Sequence, residues 1–171
     1  MLPEEIDESS LRTILYHSAA ALGLERALCM LDFMICNGQL VLLELAPRPG
    51  GDCLPFLLRR SRGLDILKLF LDFSQRRPHE LNHSGKQHDW VGLRLHARQS
   101  GILKKIDANR LQQDSRVHEI HLIRKPGHSI KLPPDDYDSW LLGHIIFEPD
   151  AVSEVASQCH ELLEKLSLEI E

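Results

Sequence analysis

Two carboxylates stand where the chain offers little else that is polar. Asp32 lies among Cys29, Met30, Leu31, Phe33, Met34 and Ile35, and Glu44 among Val41, Leu42, Leu43 and Leu45. An ion buried without a partner is costly even after the protein relaxes around it, so each acid must meet a cation or reach water. Asn37-Gly38, between them, reads as a turn joining strands over 27–36 and 39–46. A two-residue turn pairs Cys36 with Gln39 and Asp32 with Leu43, which sends Asp32 and Glu44 to opposite faces. A three-residue loop over 37–39, or a bulge at Gly38, instead sets Asp32 directly opposite Glu44, with Cβ atoms about 5 Å apart. Like charges that close repel, and a divalent cation between them turns the repulsion into a site. Donors that are all oxygen suit magnesium or manganese.

A guanidinium belongs to the same neighbourhood. The strand period of two places Glu44, Ala46 and Arg48 on one face. Arg holds phosphoryl or carboxylate oxygens through paired hydrogen bonds, and a Gly50-Gly51-Asp52 turn opening a helix offers backbone N–H groups to an anion. Metal plus Arg is a phosphate arrangement. The plainer alternative pairs Arg48 with Glu44 and leaves the glycines to make the turn; spacing alone leaves both open.

The elements that must position these residues follow from periodicity. Ser9 or Ser10 is placed to cap a helix carrying Leu11, Ile14, Leu15, Ala19 and Leu22 at helical spacing, with Gly23 to end it. The two strands around Asn37-Gly38 are apolar on both faces, as in a sheet covered on both sides. Asp52 is expected to cap a short helix from Cys53 to about Arg60, and a second apolar helix runs through Ile66, Leu67, Phe70 and Phe73. Residues 75–89 are polar and read as a linker. Their His79, His83 and His88 fit no common metal-ligand spacing. Strands follow near 90–97, 101–107, 117–124 and 143–148. A last helix starts at Asp150, with Val152, Val155, Ala156, Cys159, Leu162, Leu163 and Leu166 as its apolar face. His118 and His121, an odd number apart, are expected on opposite sides of their strand.

Composition excludes several classes of function. The chain has 171 residues, 43% apolar and 26% charged, enough for about one globular domain with a real core. Twenty Lys and Arg against 25 Asp and Glu leave a formal charge of -5, which gives no field for a phosphate backbone. No nucleic-acid partner is expected. Cys29, Cys36, Cys53 and Cys159 form no CxxC pair and suit a reducing compartment. No apolar run reaches the length of a membrane span, and the Leu-Pro-Glu-Glu start lacks a signal-peptide layout, so a cytoplasmic protein without a membrane partner is expected.

Asp32-Phe33-Met34, Asn37-Gly38 and Glu44-Leu45-Ala46-Pro47-Arg48-Pro49-Gly50-Gly51 resemble the C-terminal half of an ATP-grasp domain. That superfamily includes carboxylate-amine ligases, biotin carboxylase and carbamoyl phosphate synthetase. The resemblance lies in the twelve positions from Asp32 to Glu44, the Arg four beyond Glu44, the Gly-Gly turn and the Leu22-Gly23-Leu24 helix end. It covers 9–73 well and 90–168 more loosely, where it is similar to the closing subdomain of the amino-acid ligase branch.

The resemblance implies an α+β fold, a largely antiparallel β-sheet with flanking helices, divided into an ATP-grasp part over 1–74, the linker over 75–89 and a closing subdomain over 90–171. It implies that Asp32 and Glu44 hold magnesium (or manganese) bound to the ATP phosphates, and that Arg48 contacts the transferred phosphoryl group. Met34 then lines the adenine pocket and Leu43 borders it, with core packing as the plain alternative for both. Such ligases activate a carboxylate as an acyl phosphate that an amine or other nucleophile attacks. Ala46 departs from the pattern, since many relatives place a further ligand, Asn, there. The glycine-rich loop and the lysines that grip ATP would precede residue 9, so the chain looks like the last part of a longer enzyme. Its partners are then a small-molecule carboxylate, an amine and the missing N-terminal part, with a homo-oligomer possible and little turnover expected from this piece alone. The runner-up is a non-catalytic ATP-grasp remnant serving as a binding or oligomerisation module.

Overall fold

The computed structural model describes residues 7–78 and 89–171. His79, His83 and His88 lie outside them. The fold is α+β, with helices α1 (Glu8–Ala21), α2 (Leu54–Arg62), α3 (Ile66–Ser74), α4 (Asn109–Gln112) and α5 (Val155–Leu163). The strands are β1 (Met30–Cys36), β2 (Gln39–Ala46), β3 (Val91–His96), β4 (Gly101–Asp107), β5 (Val117–Leu122), β6 (Ser129–Ile130), β7 (Leu141–Phe147) and β8 (Ser167–Ile170), and every pairing among them is antiparallel. The described chain divides into two compact units: 7–51 with 65–78, and 52–64 with 89–171. Helix α2, placed by its sequence with the residues before 74, goes with the second unit.

In the first unit α1 packs on β2, turning Leu11, Ile14, Leu15 and Ala19 inward while its other faces stay exposed. Its cap is Asp7 rather than Ser9 or Ser10. The Asp7 carboxylate accepts from the N–H groups of Ser9 (3.3 Å) and Ser10 (3.0 Å) and from both hydroxyls. These bonds, the Ser9 hydroxyl foremost, lower its pKa to about 2. The sheet here is the β1–β2 hairpin alone. One face is half-buried through Leu31, Phe33, Ile35, Leu40 and Leu42; the other is open, contrary to the expectation of cover on both sides. Helix α3 is capped by Asp65, whose side chain accepts from the Lys68 N–H.

The second unit holds the core. Two sheets, β3-β7-β5 and β6-β4-β8, bury Leu95, Leu103, Leu111, Ile130, Ile145, Phe147 and Leu162 together. Strand β7 is central and covered on both faces, Ile145 and Phe147 toward this core, His144 and Ile146 toward α2. Gly143 is required there, because a Cβ would stand 2.1 Å from the His121 carbonyl oxygen. A bulge between Val117 and Glu119 breaks the alternation of β5. As a result His118 meets the Trp90 ring (4.8 Å between centroids) and His121 meets Phe56 of α2 (5.5 Å). With Trp90 lying beneath Arg60 of α2, the two histidines share a side instead of facing apart.

Helix α5 starts at Val155, later than Asp150. The Asp150 carboxylate folds the preceding residues into a turn by accepting from the N–H groups of Val152 (3.0 Å) and Ser153 (3.1 Å). Buried Gln158 closes that turn: its amide accepts from the Asp150 N–H and donates to the carbonyls of Asp150 and Ser153. Val152 is therefore 94% exposed and no part of the apolar face. The short elements α4, β6 and β8 had no signal in the periodicity.

Candidate metal and nucleotide site

The Asn37-Gly38 turn has both residues at positive φ, 52° and 74°, and is a true two-residue turn: Cys36 pairs with Gln39, Ile35 with Leu40 and Met34 with Val41. Carried on regularly, this register would set Asp32 opposite Leu43. It shifts between Phe33, which pairs with Leu42, and Asp32, which pairs with Glu44, so Leu43 is the extra residue of a bulge. The loop is thus the one that separates the acids, and the bulge that reunites them lies at Leu43 and not at Gly38.

Asp32 and Glu44 are both on the open side of the hairpin. Among the described residues neither takes part in a salt bridge or side-chain hydrogen bond. Beside them the same side exposes Met34 (49%), Val41 (40%) and Leu43 (61%), apolar area left in water next to two bare carboxylates. Val41, which the sequence reading did not single out, stands opposite Met34 in the hairpin.

Strand β2 ends at Ala46, which is 7% exposed. The Arg48 N–H then bonds the Ala46 carbonyl at 2.8 Å, a tight turn at Pro47, so the period of two does not reach Arg48. Its guanidinium donates to the Pro49 carbonyl (3.1 Å) and makes no ion pair with Glu44. Nor does Asp52 cap α2. The cap residue is Cys53, with no side-chain bond, while Asp52 takes a left-handed φ of 57° and bonds Arg94 of β3.

Magnesium accepts hard oxygen donors and keeps several waters, needing only one or two carboxylates beside the oxygens of a substrate. Asp32 and Glu44 fit that demand. Ala46 adds no oxygen, so the fit extends to one ion. Among the described residues no group of three or more His, Cys, Asp or Glu gathers to make an all-protein metal cage.

No family model matches the chain, and no curated protein does. Solved structures match over nearly its whole length. Phosphoribosylglycinamide synthetase from Anaerococcus prevotii superposes over 99% of the chain with a TM-score of 0.75 at 18% identity. The L-amino acid ligase from Bacillus licheniformis does so over 99% with a TM-score of 0.72 at 18% identity. Biotin carboxylase from Campylobacter jejuni, solved as a complex with a β-γ-ATP, superposes over 96% with a TM-score of 0.65 at 15% identity. This is an ATP-grasp fold. Within it the chain spans 44%, 45% and 37% of those three proteins, less than half of each. The ATP-grasp fold accounts for the α+β architecture; what its residues bind is a separate matter.

Proposed function

We propose that this chain is the C-terminal part of an ATP-dependent ligase that activates a carboxylate as an acyl phosphate for attack by an amine or another nucleophile. The observation that carries the reading is the bulged register that sets Asp32 opposite Glu44 on an open, partly apolar face. In this reading Asp32 and Glu44 hold magnesium on the ATP phosphates, and Met34 and Leu43, with Val41, border the adenine. Arg48 contacts the transferred phosphoryl group. A magnesium ion bound there supplies charge stabilisation to the moving phosphoryl group. Arg48 adds to that stabilisation, and its backbone turn at Pro47 sets where the guanidinium starts. Because the chain spans under half of the ligases it resembles, the carboxylate, the amine and the rest of the nucleotide clamp belong to residues beyond it. No helix among the described residues is long and apolar enough to cross a membrane. Four free cysteines accord with a reducing, cytoplasmic setting.

The test is a titration of ATP and magnesium into a longer polypeptide carrying the preceding residues, beside Asp32→Asn and Glu44→Gln. Each substitution is expected to raise the dissociation constant at least about tenfold, or about 1.4 kcal/mol. Unchanged affinity in both removes the site. The 171 residues alone are expected to show no ligase turnover, and measurable turnover contradicts that part of the reading. A second reading, a non-catalytic ATP-grasp remnant, is favoured by one observation, the buried Ala46 where a further ligand is usual.

A further inference from the structure

The second unit contains a buried ionisable side chain that the proposed chemistry does not use. His144 on β7 is 3% exposed, and its Nε2 has no hydrogen-bond partner. Its Nδ1 lies 3.6 Å from Oδ1 of Asp52, beyond hydrogen-bond reach but close enough for a charge to be felt. The ring sits beneath α2, 5.0 Å from Phe56 and 5.2 Å from His121, its cross-strand partner on β5. Asp52, the residue before the α2 cap, is bonded to Arg94 of β3. Farther along α2, Arg59 and Arg60 both reach Glu119 of β5. Cys53 is buried against Gly92, where an added Cβ would stand 2.8 Å from its Sγ. The start of α2 is thus held by the Asp52–Arg94 ion pair, by Cys53 against Gly92 and by Phe56 against His144, and His144 lies beside the first of these as well as in the last.

We propose that Asp52, Arg94 and His144 form a proton-sensitive clasp that docks α2 on the β3-β7-β5 sheet, and that α2 loosens when His144 takes up a proton. Burial at this position favours the neutral imidazole. Protonation would place a cation in a nearly water-free site, beside a second imidazole, with its nearest carboxylate already committed to a guanidinium. Groups from each packed element bear on the ring. His121 opposes the charge, whereas Asp52 and Glu119 favour it, and Arg94, Arg59 and Arg60 offset those two acids. Burial dominates and holds the His144 pKa below the ordinary 6.5, with His121 adding to the effect.

The sign follows from linkage. The docked state disfavours the proton and the loosened state, with the ring in water, binds it normally. Docking therefore has its full strength above pH 6.5, and weakens as pH falls below 6.5 until the docked ring itself titrates. One pH unit below the free value corresponds to a rise of at most about tenfold in the population of the loosened state.

Amide hydrogen exchange on the 171-residue protein at pH 7.5 and 5.5, corrected for intrinsic exchange rates, tests the clasp. Protection of α2 amides is expected to fall, by at most about tenfold, while that of β7 holds. His144→Leu should abolish the pH effect, and His121→Gln should retain it. Equal loss in α2 and β7, a pH effect that persists in His144→Leu, or one that vanishes in His121→Gln overturns the proposal. Should His144→Leu not fold, the wild type decides by NMR titration of the His144 ring beside the α2 exchange: a midpoint below 6.5 with α2 protection lost between 6.5 and that midpoint supports the clasp, and a midpoint at or above 6.5, or α2 protection unchanged over that range, overturns it. Asp32→Asn is expected to leave the exchange pattern unchanged, so failure of the nucleotide site and failure of the clasp are read separately.

Discussion

Carboxylates in the two units meet opposite treatment at particular places, although the first unit too pairs Glu8 with Arg12 and Asp72 with Lys68. In the second, acids are locked into ion pairs that join elements distant in sequence. Asp114 takes Arg116 through two oxygens (3.0 and 2.8 Å) and Lys165 at 2.6 Å, and Arg116 reaches on to Glu161 at 3.0 Å. Glu119 takes Arg59 and Arg60, and Asp52 takes Arg94. In the first unit Asp32 and Glu44 face each other on an open hairpin, and among the described residues no Lys or Arg side chain pairs with either. Paired acids hold a fold together, whereas a like-charged couple left bare works against its own strand pairing and is available to a ligand. The contrast separates residues whose loss should show in stability from residues whose loss should show in binding.

Four further measurements sharpen or break that contrast. The largest effect is expected at Asp114, whose side chain is 7% exposed. Asp114→Ala removes the buried one of the two acids that Arg116 and Lys165 share, leaving them the exposed Glu161, and should cost about 2 kcal/mol in urea unfolding. Its pKa is held well below 3.8, chiefly by the Arg116 hydrogen bond. The stability it contributes is therefore complete above 3.8 and disappears as pH drops below it toward the folded value. Next is Glu119→Gln, where Arg59 and Arg60 are half exposed and screened, so a loss of about 1 kcal/mol is expected. Asp32→Asn and Glu44→Gln should change unfolding stability by no more than about 0.5 kcal/mol, in the stabilising direction if repulsion dominates. A loss from either as large as that at Asp114 would erase the distinction between the units. The smallest effect is at Asp7, on the exposed start of α1. Asp7→Ala should speed amide exchange at Ser9 and Ser10 near neutral pH. In the wild type the same fraying should set in as pH falls from 3.8 toward 2.

What could be read from the sequence was local chemistry, and what escaped was tertiary. Asn37-Gly38 announces its turn because Gly and Asn tolerate positive φ, and the spacing of Ile66, Leu67, Phe70 and Phe73 announces α3. The two acids were recognisable as a pair, but not the means of pairing them. Leu43 has nothing in its side chain that marks a bulge; the extra residue lets Leu45 meet Leu31 on the half-buried face that Phe33 and Leu42 share, a pairing that only the folded hairpin shows. The same limit applies to His118, whose bulge overturned a correct rule about alternation. Asp52 had the sequence position of a helix cap, yet its carboxylate goes to Arg94, on a strand well beyond any local window. With Asp7, Ser9 and Ser10 all able to cap α1, three acceptors competed and spacing could not choose among them.

The route of the backbone around α2 has a practical consequence. Since the first unit is assembled from residues on both sides of 52–64 while that stretch belongs to the second, no single scissor point between Gly51 and Asp65 yields either body whole. A protease nick there should release no intact half, and swapping one unit into a protein of the same fold calls for three junctions, after Gly51, before Asp65 and between 78 and 89, in place of one.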